Sequence, residues 1–102
     1  MRPAGRAVTV ALLVVRLRLP SRTLKEKRTI VKSVVERLRN RYNASVAEVG
    51  DLDTPGLATI GAAVLSNESR HADEQAQEIA GAIEGWRLDA QVLDIEIELI
   101  DA

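Results

Sequence analysis

Cysteine is absent from this chain of 102 residues, and histidine occurs once, at His71. Disulfides and thiolate metal centres are thereby excluded, and so is a metal site built on several imidazoles. Phenylalanine is also missing, which leaves Trp86 and Tyr42 as the only aromatics. The core must therefore be aliphatic, and the strands carry nothing on which nucleic-acid bases could stack. No apolar run approaches the roughly 20 residues that a membrane helix needs, so no membrane partner is expected. Neither the G-x-x-x-x-G-K-[ST] loop nor the G-x-G-x-x-G loop for phosphate occurs. Nothing in the pattern marks an enzyme, and no cofactor or metal is expected.

Arg2 and Arg6 precede the apolar run from Ala7 to Val15, an order loosely like that of a leader segment. Arg16 and Arg18 follow at once, no A-x-A pattern comes after, and the run is rich in β-branched Val and Thr. That composition favours a strand. The expectation is a loose tail at residues 1–6, a single domain over 7–102, and a cytoplasmic location.

What is present suits one compact core, since 46% of the residues are apolar. From Ala7 to Leu19 both alternation sets begin apolar, Val8, Val10, Leu12 and Val14 in one and Ala11, Leu13 and Val15 in the other. Such a strand is covered on both faces. Pro20 ends it. Thr23-x-x-Glu26 then forms a capping box. Leu24, Val31, Val35, Leu38 and Tyr42, widened by Ile30 and Val34, make the buried stripe of a first helix. Ser45–Val49 reads as a second strand, and the turn-rich segment 50–56 leads to a third, Leu57–Leu65, apolar on both faces. Ser66, Asn67 and Ser69 offer caps for a second helix whose stripe is Ala72, Ala76, Ile79, Ala80 and Ile83. Gly81 and Gly85 weaken it, and an end near Trp86 is expected. In the last strand Leu93, Ile95, Ile97 and Leu99 alternate with Asp94, Glu96 and Glu98.

The order β-α-β-β-α-β predicts an α+β, ferredoxin-like fold: a four-stranded antiparallel sheet with both helices on one face and the first and third strands central. One apolar set of the first strand then faces away from the helices. Val8, Val10, Leu12 and Val14 are the candidate oligomer interface, and a homodimer is expected.

Charge is divided along the chain. Residues 1–41 carry +10 and residues 42–102 carry −11, which together give the net −1. On the first helix Lys25, Arg28, Lys32 and Arg39 share a sector of about 60° and span roughly 21 Å. Lys27, Arg37 and Arg41 add charge on other sides. Cations in a first turn oppose the helix dipole, which points to a use beyond stability. Lys25, Lys27, Arg28, Lys32 and Arg39 are the candidate nucleic-acid-binding residues, a row of cations suited to phosphates. Two alternatives stand beside this: a solvated face, or cations paired with the acidic half of the chain.

Other groupings are weaker. Asp51-x-Asp53 near Glu48 could hold a hard cation, yet the loop lacks the EF-hand pattern, and acids are common in turns. Ser66 and Ser69 near His71 suit capping better than a triad. Glu48, Asp51 and Lys25 form the least implausible catalytic group.

Leu24-Lys25-Glu26-Lys27-Arg28, Ser45-Val46-Ala47-Glu48-Val49-Gly50 and Ser66-Asn67 together resemble the YlxP-like family of small bacterial proteins of unknown function. The resemblance covers roughly Ala7 to Ile100. It implies a bacterial protein of ferredoxin-like fold, with genes often placed among those for translation factors, and it brings no catalytic residues. The leading expectation is thus a non-catalytic, translation-associated accessory protein that touches RNA or the small ribosomal subunit through its first helix. The alternative is a dimeric regulatory module that binds a protein or small molecule at the open sheet face, without nucleic acid.

Overall fold

Ala11, Leu13, Val15 and Leu17 alternate along the first strand with Leu12, Val14, Arg16 and Arg18, and only the first set enters the core. The computed structural model describes residues 7–86 and 90–101. Its elements are β1 (Thr9–Arg18), α1 (Leu24–Arg41), β2 (Ser45–Gly50), β3 (Leu57–Ser66), α2 (Ser69–Gly85) and β4 (Gln91–Asp101). The tail expected at 1–6 lies outside the described residues.

The four strands form one antiparallel sheet in the order β2-β3-β1-β4, with the two doubly apolar strands in the centre. The fold is the ferredoxin-like α+β arrangement. α1 packs on β2 and β3, and α2 packs on β1, β3 and β4. The core between helices and sheet is aliphatic, built from Leu13, Val15, Leu17, Val34, Leu38, Val46, Ile60 and Ile79 among others.

Local signals set the helix ends. Thr23 caps α1 by accepting from the Glu26 amide at 3.1 Å, and the Glu26 carboxylate reaches back to the Arg22 amide at 3.4 Å. The reciprocal bond thus lands one residue ahead of the cap. At α2 the capping residue is Glu68, which makes no side-chain cap bond. Ser66 instead accepts from the Glu68 amide at 3.1 Å, bracing the turn before the helix.

β4 departs from its simple alternation. Arg16 pairs with Asp94 but Leu17 pairs with Val92, so Leu93 is bulged out of the ladder. Val92 takes the core-side position expected of Leu93, followed by Ile95 and Ile97, and Leu93 is exposed. A second bulge places Val49 between the Glu48 and Gly50 pairings of β2. Gly50 allows close approach there, because a Cβ would lie 3.1 Å from that of Thr59.

Gly81 lies inside α2, is exposed, and has nothing within 4 Å of where a Cβ would sit. Gly81→Ala is expected to stabilise the protein by up to about 1 kcal/mol. Urea unfolding checks this, with a higher midpoint at unchanged slope as the expected result.

Candidate nucleic-acid interface

The periodicity that buries Val31, Val34, Val35 and Leu38 turns the opposite side of α1 to solvent. Lys25, Arg28 and Lys32 are exposed there. Thr29, Lys32, Ser33, Glu36, Arg37, Asn40 and Arg41 line an open groove along the same helix. The groove brings together three cations, Lys32, Arg37 and Arg41, with one acid, Glu36, beside the shorter Thr29, Ser33 and Asn40. Arg37 stacks over Trp86 at 4.8 Å from the ring centroid, and Arg41 lies 5.6 Å from that of Tyr42. Both aromatics of the chain thus restrain an arginine at the C-terminal half of α1.

The five expected binding residues do not share one fate. Lys25, Arg28 and Lys32 stand on the surface as expected. Arg39 is exposed overall, but one guanidinium nitrogen donates to the Val46 carbonyl of edge strand β2 at 2.6 Å. Lys27 corrects the expectation outright: only 1% of it is exposed, and it lies on the core side of α1. A side chain so placed cannot reach a phosphate. Its position was visible in the spacing, because Lys27 falls on the same stripe as Leu24, Val31 and Leu38. Arg37 and Arg41 were missed as groove residues, although Thr29, Ser33 and Arg37 recur every four residues.

Lys27 is held in a cage of oxygens at the β2–β3 turn. Its Nζ donates to the carbonyls of Asp51 at 2.7 Å, Leu52 at 3.1 Å and Leu57 at 3.2 Å. Glu48 Oε2 lies 3.0 Å away. An ammonium group has three protons and meets four acceptors here. The carbonyls take the directed bonds, so the buried Glu48 oxygen is held by charge without a directed hydrogen bond of its own. The start of α1, the end of β2 and the turn after it therefore converge on structure, and the first two are segments that carry the family resemblance.

Asp51 joins the cage to the far side of the sheet. Its backbone adopts φ 56°, a left-handed conformation that Asp and Asn tolerate best after glycine. While its carbonyl accepts from Lys27, its carboxylate accepts from Thr59 Oγ1 at 2.6 Å and from Arg16 Nε at 3.2 Å. The bond from Thr59, then the bond and charge of Arg16, hold the Asp51 carboxyl below the usual carboxylate range. A lowered folded value means that the contribution is complete above the unfolded value of about 3.9 and is lost as pH falls through the folded one. Stability is thus expected to decline in acid below about pH 4, and Asp51→Asn, which keeps the backbone geometry, is expected to flatten that decline in a pH series of urea midpoints.

Arg16 turns to Asp51, leaving Asp94, Glu96 and Glu98 exposed on β4. His71 is exposed at the start of α2. Glu48 and Asp51 gather around Lys27, not around Lys25. No three carboxylate or imidazole groups converge as metal ligands would among the described residues. Val10, Leu12 and Val14 lie on the sheet face away from the helices, and Val8 precedes β1.

A family model for proteins of unknown function, DUF503, matches residues 10–97. The chain belongs to the DUF503 family. It is also 30% identical over 64 residues to the uncharacterized protein YlxP of Bacillus subtilis (strain 168), covering 63% of this chain and 70% of that protein. Within this DUF503 domain the family match spans β1 to most of β4, and so includes both the Lys27 cage and the exposed face of α1.

Proposed function

We propose that this DUF503 protein is a non-catalytic, cytoplasmic accessory protein that contacts RNA, on the small ribosomal subunit or in free form, through α1. One observation carries the reading: among the described residues Lys25, Arg28, Arg37 and Arg41 have no carboxylate partner within salt-bridge distance. Lys32 is paired only with Glu36, at 4.0 Å and on the surface, where such a pair is worth little. The acidic half of the chain therefore leaves the outer side of α1 positive. Four or more cations along some 20 Å of helix suit a phosphodiester backbone, which carries its charges in series. Bonds of this kind position a protein without reading bases. The resemblance to a family whose genes accompany translation factors agrees with RNA as the polyanion. Cosedimentation with small ribosomal subunits and with purified RNA, across a salt series, tests the proposal.

A second reading is a regulatory module that binds a protein or small molecule at the open sheet face. It is favoured by Leu65 and Val49, which are 70% and 57% exposed on the strands of that sheet. A rise in melting temperature with a metabolite would support its small-molecule form. Lack of any shift across a broad metabolite screen would count against that form.

A further inference from the structure

The sheet face opposite the helices is apolar in its middle and unlike the rest of the surface. β1 presents Val10, Leu12 and Val14 there, and the register sets Leu65, Ala63 and Gly61 of β3 beside them. Ala47 of β2 follows beside Gly61, and the Val49 methyl groups lean over that glycine, 3.3 Å from where a Cβ would sit. On the other side β4 brings Ile100, Glu98 and Glu96. The surface is thus a shallow floor of Gly61, Ala63 and Ala47 beside the projecting Leu65, with carboxylates along one rim.

We infer that this face is covered by a second copy of the same chain, packed sheet against sheet. A polyanion is the wrong occupant, because the middle of the face is apolar, the rim on β4 is acidic, and Arg16, at the end of the face near Arg18, is already paired with Asp51. The area is sufficient for self-association. Strands of 10, 6, 10 and 11 residues, about 4.8 Å apart and rising about 3.3 Å per residue, offer roughly 590 Å² per copy. Two copies would then bury roughly 1,200 Å², above the ~1,000 Å² that a specific interface should clear. A two-fold pairing presents the same patch twice, so one surface with both a projection and a floor suffices. The acids sit at the rim, where they stay hydrated and oppose open-ended strand addition at the β4 edge. Packing in this way leaves both α1 helices on opposite outer faces. The assembly would then be a bivalent binder, although its existence does not depend on RNA binding.

Light scattering at micromolar concentration tests the inference, with Leu65→Glu and Leu12→Glu as variants. Leu65 is exposed in the single chain, so its replacement leaves the fold intact, as circular dichroism would verify. The expected result is twice the chain mass for the parent protein and the single-chain mass for both variants. A single-chain mass for the parent overturns the inference. So does a double mass that both variants retain, since the copies would then meet elsewhere. Because the chain lacks cysteine, one cysteine at Ala63 also gives a unique spin-label site. A label-to-label distance below about 25 Å fits two sheets packed roughly 10 Å apart, and a distance beyond about 40 Å contradicts it.

Discussion

Lys27→Met is expected to lower the unfolding free energy by about 3 kcal/mol, the low end of the range for removing one partner of a buried ion pair. The substitution keeps the volume and removes the charge. Three carbonyls are then without their donor, and the Glu48 carboxylate is left partly buried without its counter-charge. The low end applies because Glu48 retains 18% exposure and can regain some water. For a small domain the loss corresponds to a fall of more than ~1 M in the urea midpoint. Lys27→Met with Glu48→Gln is expected to recover part of it, since the buried carboxylate is removed as well. A loss below about 1 kcal/mol for the single variant would mean that the cage does not hold the turn. RNA affinity at constant folded fraction is expected to stay unchanged in Lys27→Met, which separates this lysine from its exposed neighbours.

Arg28→Glu with Lys32→Glu is expected to act in the opposite way. Both side chains are exposed and neither supports the backbone, so stability should change by no more than about 0.5 kcal/mol. Affinity for RNA should fall at least tenfold at low salt. The slope of log affinity against log salt should shrink by about one unit for each phosphate that is no longer neutralised. Arg39 is a poorer choice for this test, since its bond to Val46 ties α1 to the edge strand. Glu36→Gln serves as the converse control and should leave binding unchanged or slightly tighter. A double reversal that weakens binding without altering the salt slope would show that Arg28 and Lys32 do not touch phosphates.

Most of the fold was legible because each strand and helix declared itself locally. The two-sided apolarity of β1 and β3 placed them in the centre of the sheet, and Thr23-x-x-Glu26 fixed the start of α1 to the residue. The bulge at Leu93 was not legible, because alternation within one strand says nothing about where its pairing with β1 slips. The site was read less completely. A count of cations along α1 treated Lys27 as one of five equals, although its position on the apolar stripe assigned it to the interior. Its partners were harder to foresee: Glu48 is distant in sequence on another element, and Asp51 offers a carbonyl, which any residue carries. The role of Asp51 likewise depends on its left-handed backbone and on β1 and β3 bringing Arg16 and Thr59 to the same place. The position of Val10, Leu12 and Val14 opposite the helices, by contrast, followed from topology and alternation.

The most direct test is cosedimentation of the protein with small ribosomal subunits and with purified RNA, measured from about 50 to 200 mM salt. Binding that is tight at low salt, falls steeply with salt and is at least tenfold weaker, with a shallower salt slope, in the Arg28→Glu, Lys32→Glu variant is the predicted result. An absence of binding at the lowest salt, or binding equal in parent and variant, would contradict a role for α1 as a phosphate-binding face.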